Sequence, residues 1–248
     1  MNIHRLFDEK SDIYAKSRPH YPKELFQFLH SLCSEHNAVW DAACGNGQAS
    51  VDLADFFKEV YATDVSEQQI KHAQPKSNIH YSVQQSEKTN FPDQFFDMVC
   101  VAEALHWFDH DQFWREVKRV LKPHGVIAVW GYSWFNIEPE IDSVIKTDFL
   151  DIIAPYWPKQ AQLLWNHYQD IPMPFSPINA PELVMEMEWT LDQVFMFLHS
   201  WSATRRCMDD IGDAFFHQAY DKVKALWGGS ENIKTVKMDT CLLLGRND

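Results

Sequence analysis

Val39-Trp40-Asp41-Ala42-Ala43-Cys44-Gly45-Asn46-Gly47-Gln48 is a short apolar run that reaches an acidic residue, passes through a Gly-x-Gly turn and opens a segment with helical periodicity. The chain of 248 residues has only eight glycines, and two of them stand two positions apart here, so the pair answers a local backbone need. Glycine lets a main chain approach a ligand closely, and a helix N-terminus offers unpaired N–H groups to it. Taken alone, the same turn also serves any tight connection that needs a positive φ.

The next strand narrows the choice. Val60-Tyr61-Ala62-Thr63-Asp64 ends on a carboxylate, 17 positions after Gly47, where nucleotide-binding α/β folds hold both hydroxyls of a ribose. A cap for a helix starting near Ser66 is the other reading of Asp64. Outward from this pair, apolar runs at 38–41, 59–63, 79–83, 98–102 and 126–132 read as strands. Between them, 49–57, 67–73 and 111–121 read as helices, the last of them stopping at Lys122-Pro123-His124-Gly125. Such alternation is the pattern of a parallel sheet wrapped by helices.

Beyond Tyr132 the pattern changes. Residues 133–182 carry prolines at 139, 155, 158, 172, 174, 177 and 181, so helices broken by loops are expected. A strand at 183–189, helices at 191–201 and 209–227 and a last strand at 235–244 follow. Nine of the ten tryptophans lie at or after position 107, and both core packing and the wall of an organic-ligand pocket account for that. The expected division is 1–132, an N-terminal lid with the cofactor-binding core, and 133–248, an aromatic-rich cap with the last strands of the same sheet, together one globular unit.

Composition removes several functions. Lys and Arg total 22 against 35 Asp and Glu, a net charge of −13, and no basic run exceeds Arg205-Arg206. Binding to a phosphate backbone needs clustered cations, so no nucleic-acid partner is expected. No apolar stretch nears the roughly 18–20 residues that span a bilayer, and the first residues lack the apolar segment of a signal peptide. No membrane partner and a cytoplasmic location are therefore expected. Five scattered cysteines without a CxxC pair suggest neither disulfides nor zinc, and the spacing of His106 and His110 makes a poor metal pair.

Asp41-Ala42-Ala43-Cys44-Gly45-Asn46-Gly47 resembles the first motif, Asp-x-Gly-x-Gly-x-Gly, of the class I S-adenosylmethionine-dependent methyltransferases, with Ala43 in place of the first glycine. Arg119-Val120-Leu121-Lys122-Pro123-His124-Gly125 resembles the family's turn before its fifth strand, with His124 for a glycine. Phe7, Tyr14, Arg18, Pro19, Tyr21 and Pro22, with His106-Trp107-Phe108, Trp130-Gly131-Tyr132 and Trp201-Ser202, are similar to the trans-aconitate methyltransferase-like branch, which acts on small molecules and includes carboxylate O-methyltransferases.

The resemblance implies an α/β, Rossmann-like, doubly wound and mostly parallel seven-stranded sheet, with an antiparallel last strand and a helical cap after the fifth. It implies S-adenosylmethionine as cofactor, S-adenosylhomocysteine as product, no metal, and a small-molecule acceptor. Asp41, Ala43, Cys44, Gly45, Asn46, Gly47, Asp64, Val65 and Ala102 would line the cofactor, Gln85, Ser86 and Glu87 would meet its adenine, and Tyr14 and Arg18 would reach its carboxylate or order the lid. Both Gly47→Val and Asp64→Ala are expected to weaken cofactor binding in an intact fold.

For the acceptor side, Trp107, Trp130, Trp134 and Trp201 are candidate walls, with ordinary aromatic packing as the alternative. Arg205 and Arg206 form either a clamp on an acceptor carboxylate or a solvated helix end. His106, just past the fourth strand, is a general base or a wall residue hydrogen-bonded to its surroundings. A catalytically inactive nucleotide-fold module that regulates a partner is the competing function. A dinucleotide oxidoreductase is disfavoured, because Gln48-Ala49-Ser50 supplies no third glycine.

Overall fold

Val39 and Trp40 belong to opposite faces of one strand, and the two faces are buried in different cores. In the computed structural model, which describes residues 19–248, strand β1 (Ala38–Ala42) is buried at all five positions. Trp40 packs with Phe96, Phe113, Val117 and Tyr168 on one side, while Val39 packs with Leu25, Leu29, Leu53 and Phe57 on the other. A strand covered on both faces reads as an uninterrupted apolar run, the mark of a central parallel strand.

Around β1 the sheet adds β2 (Glu59–Asp64), β3 (Ile79–Val83), β4 (Phe96–Ala102) and β5 (Leu121–Asn136). Its order is β3-β2-β1-β4-β5-β8-β6, with β8 at Lys234–Arg246 and β6 at Ser176–Pro177. The strand β7 (Met185–Trp189) also pairs with β8. β1 through β5 pair in parallel, whereas β6 and β7 run antiparallel to β8. This is the expected Rossmann-like architecture, with eight strands rather than seven because the two-residue β6 adds a rung too short to show a period.

Helices α1 (Lys23–Ser31) and α2 (Gln48–Leu53) contribute to the Val39 side. α3 (Glu67–Lys71) follows β2, and α4 (His110–Val120) contributes Phe113, Trp114, Val117 and Val120 to the Trp40 side. α1 was not anticipated, although Leu25, Phe26 and Leu29 share a helical face directly after Pro22. Helix α4 stops as expected, at Val120, but residues 122–125 continue as strand rather than turn. β5 begins at Leu121 opposite Phe96, and the register shifts before Met98 meets Val126, which absorbs the extra residues.

Two compact units are distinguished. One comprises Tyr21–Ser133, Gln162–Val184 and Thr240–Asp248; the other includes Trp134–Ala161 and Met185–Asp239. The second holds α5 (Pro139–Ile145), α6 (Asp151–Ile153), α8 (Leu191–Ser200), α9 (Ser202–Ile211) and α10 (Ala214–Trp227), while α7 (Ala161–Trp165) starts at the boundary. The break between the last two helices falls at Gly212, with φ +82°, so the expected helix from 209 becomes α9 and α10. No helix among the described residues is long and apolar enough to cross a membrane.

Candidate functional site

The segment after β1 turns through three left-handed residues, Ala43 and Gly45 at φ +56° and Gly47 at +83°. It is fastened to the end of β2 by Cys44 N–H on the Thr63 carbonyl at 2.9 Å and Gly45 N–H on Asp64 Oδ2 at 2.9 Å. The glycines differ in what they face. A methyl on Gly45 would meet nothing within 4 Å, whereas one on Gly47 would lie 2.1 Å from the Tyr81 hydroxyl, which donates to the Gln74 carbonyl. Gly45 therefore leaves room beside the main chain, whereas a side chain at Gly47 would have to hold a left-handed φ and displace the end of the Tyr81 side chain. The expectation that Gly47→Val spares the fold is corrected on this point.

Ala43 holds a conformation that costs a residue with a Cβ about 1–2 kcal/mol, part of which glycine returns as backbone entropy in the unfolded chain. Ala43→Gly is expected to raise stability by about 0.5–1 kcal/mol, read as a higher midpoint in urea unfolding.

Asp64 is tied to the loop it faces. Besides Gly45 N–H, its carboxylate accepts Ser66 N–H at 2.8 Å, and Ser66, not Asp64, caps α3 through Gln69 N–H. Asp64→Ala would thus loosen the loop as well as remove an acceptor, which modifies the expected clean loss of binding. Asp41 is fully buried beside it. Ser50 donates to its Oδ2, while Oδ1 has no partner among the described residues. Burial pushes the carboxyl up to about 7, with the charge of Asp64 adding and the Ser50 bond opposing. Burial likewise raises the Cys44 thiol.

The other candidates on this edge are placed as follows. Val65 is 66% exposed, an apolar side chain open to solvent directly after Asp64. Gln85 forms a bridge with Lys88, Ser86 is buried, and Glu87 accepts from Asp109 N–H at 3.1 Å. The Asn46 carbonyl accepts from Gln74 N–H, and Ala102 ends β4 half-buried. Tyr14 and Arg18 lie outside the described residues.

Past β4 the backbone is strained again, with Glu103 at φ +58°. Its carboxylate accepts from Tyr132 N–H, and a methyl on Gly131 would come 2.9 Å from Glu103 Oε1, so Gly131 is the residue that fits there. His106 follows in a 3-10 turn, Leu105–Trp107, and is only 7% exposed. Its Nδ1 stands 3.1 Å from the Tyr168 hydroxyl, and its ring lies 4.8 Å from that of Trp107, which is 56% exposed. His110 Nε2 is spent on the Leu105 carbonyl.

Burial holds His106 down at about 4 from 6.5, so the ring is neutral at pH 7. The unfolded chain takes up this proton near pH 6.5 and the folded one only near 4. The stability from burying a neutral ring is therefore complete above pH 6.5 and is lost as pH falls toward 4. His106→Gln is expected to remove a drop of roughly 2–3 kcal/mol between pH 7 and 4, measured by urea unfolding at both ends.

The aromatic candidates divide. Trp130 is fully enclosed, with Tyr21 and Phe26 edge-on at 5.7 and 6.1 Å, which is core packing rather than a pocket wall. Trp134 and Trp201 meet at 6.0 Å and share Trp157 as a neighbour. Arg205 and Arg206 stand on the exposed side of α9, whose Ala203, Thr204 and Cys207 are buried. They are mid-helix rather than at a helix end, and Arg206 donates to the Tyr156 carbonyl. Sequence reasoning passed over Ser50, Tyr81, Glu103 and Tyr168; only the positive φ of Glu103 and the packing of the others mark them.

Residues 40–129 match the family model described as a methyltransferase domain. A Dictyostelium discoideum protein that carries a methyltransferase name is 30% identical over 204 residues, 79% of this chain and 78% of that one. A solved structure from Anaeromyxobacter dehalogenans, which carries the name of a type II methyltransferase, is similar at 33% identity and a TM-score of 0.87, covering 93% of this chain and 98% of its own. A probable S-adenosylmethionine-dependent methyltransferase of Saccharomyces cerevisiae is 27% identical over 153 residues, 58% of this chain and 50% of its own.

Proposed function

The chain belongs to the class I S-adenosylmethionine-dependent methyltransferases, and from there we propose that it methylates a small organic acceptor at an oxygen already ionised at neutral pH, a carboxylate first. The observation that carries the acceptor class is the burial of His106, only 7% exposed with its Nδ1 against the Tyr168 hydroxyl, which lowers the ring's basicity. A ring of that basicity removes protons poorly near pH 7, so an acceptor that has none to lose suits it.

The cofactor side fits on three observations. The buried Oδ1 of Asp41, without a partner among the described residues, is free to accept from a cationic donor, and the cofactor's ammonium is one. Open space at Gly45 admits a ligand against the main chain. Asp64 spends one bond on each oxygen and keeps lone pairs for ribose hydroxyls, with exposed Val65 next to it for an apolar ring face. When bound, S-adenosylmethionine supplies an electrophilic methyl on a sulfonium sulfur. The protein's part is to hold the donor and acceptor in line and exclude water, and alignment of this kind contributes on the order of 7–11 kcal/mol.

Calorimetry of S-adenosylmethionine against NAD tests the cofactor. Release of S-adenosylhomocysteine over a panel of small carboxylic acids, phenols and amines tests the acceptor. Turnover confined to acids is expected; turnover confined to amines overturns the acceptor class, and cofactor binding with no turnover at all supports the inactive module.

A further inference from the structure

His106 makes one hydrogen bond among the described residues, between Nδ1 and the Tyr168 hydroxyl at 3.1 Å. Tyr168 is fully buried, and that ring nitrogen is the partner its hydroxyl has among the described residues. A phenol shut away from water has one proton to donate, and leaving it undonated forfeits a hydrogen bond it made in water. The Tyr168 O–H therefore donates to Nδ1. A neutral imidazole whose Nδ1 accepts carries its hydrogen on Nε2.

The backbone around the pair is constrained to this arrangement. His167 and Tyr168 are successive non-glycine residues in the left-handed region, at φ +51° and +55°, and Glu103 is a third at +58°. The rings of His106 and Tyr168 lie nearly parallel, 18° apart with centroids 6.1 Å apart. Left-handed backbone at residues with a Cβ persists where the surroundings over-determine it, and it gathers at functional sites. His106 follows β4, whose neighbour β1 leads into the Gly45 loop, so both stand at the carboxyl edge where open α/β sheets bind ligands.

We propose that Tyr168 is a positioning residue that holds His106 as the Nε2–H tautomer, so that His106 offers the methyl acceptor a hydrogen-bond donor rather than a base. This rests on the reading of the chain as a small-molecule methyltransferase and specifies its acceptor, a carboxylate whose oxygen the Nε2–H can hold. The oxygen lone pair forms the new O–CH3 bond as the S–CH3 bond breaks, the bonding pair stays on sulfur, and no proton is transferred. Nε2 has no partner among the described residues, so it is available for that contact.

The test is long-range ¹H–¹⁵N correlation on histidine-labelled protein at pH 7, with and without S-adenosylhomocysteine, the His106 signals being assigned by their loss in His106→Gln. A protonated Nε2 and bare Nδ1 are expected in the wild type, and a mixture of tautomers in Tyr168→Phe, which keeps the ring and loses the hydroxyl. Acetate, the probe for a carboxylate, is expected to shift the Nε2 signal in the S-adenosylhomocysteine complex. A wild-type ring protonated on Nδ1 overturns the proposal, and this readout stands even if Tyr168→Phe does not fold. An unmoved tautomer ratio in a folded variant, or no response to acetate, also overturns it. Calorimetry on the same sample separates the two failures: absent S-adenosylhomocysteine binding sinks the cofactor reading, while the unliganded spectra still decide the tautomer.

Discussion

Asp41→Asn is expected to stabilise the unliganded protein at pH 8, destabilise it at pH 4, and weaken S-adenosylhomocysteine binding at both. The carboxyl is fully buried and ionises only near pH 7, while the unfolded chain ionises near 3.8. Between those values the unfolded state releases a proton that the folded state keeps, so folding stability falls as pH rises through the interval and levels off above 7. The loss is on the order of 3–4 kcal/mol. Asparagine does not ionise and escapes it, but adds a buried amide N–H that costs about 1–3 kcal/mol without a partner. The sign of the difference in melting temperature therefore reverses between pH 4 and pH 8, and a difference of one sign at both would refute the assignment.

The same group predicts a proton signal on binding. A cation brought against a buried carboxylate lowers its pKa by about 1–3 units, so cofactor binding near pH 7 expels part of a proton. Calorimetry in buffers of unlike ionisation enthalpy should show that release in the wild type and none in Asp41→Asn. The variant's affinity should fall about 10–100-fold, the equivalent of one charge-assisted hydrogen bond. On this reading the site holds a destabilising group that a bound cation would relieve, the trade between stability and activity common at binding sites.

The second large effect separates the two glycines. Gly47→Ala is expected to cost about 2–3 kcal/mol of stability, combining a left-handed Cβ with displacement of the Tyr81 hydroxyl from its hydrogen bond. Tyr81→Leu in the same chain should recover the packing part and leave about 1–2 kcal/mol of backbone strain. Gly45→Ala meets open space, so it should pay only the strain and lose chiefly cofactor affinity. Equal stability losses at both positions, insensitive to Tyr81, would show that the collision with the hydroxyl does not matter.

Local chemistry was enough for the alternation of strands and helices from β1 to β5, but not for α1, the two-residue β6 or the break at Gly212. A parallel strand buried on both faces is mostly apolar, with Asp41 and Asp97 the exceptions, which made 38–41 and 98–102 plain to read, and a left-handed turn against open space selects glycine, which exposed Gly45. The acidic end of β2 was legible for the same reason: Asp64 stands where a strand stops and a ligand or loop must be met. What stayed hidden depended on contacts distant in sequence. Tyr168 lies 62 residues from His106 and has no periodic signature, and Tyr81 reaches Gly47 from a different strand. Trp130 has the composition of a pocket wall, but its neighbours Tyr21 and Phe26 place it in the core. The ionisation of Asp41 and His106 followed the same rule, because desolvation is set by every atom packed around a group and not by the residues beside it in the chain.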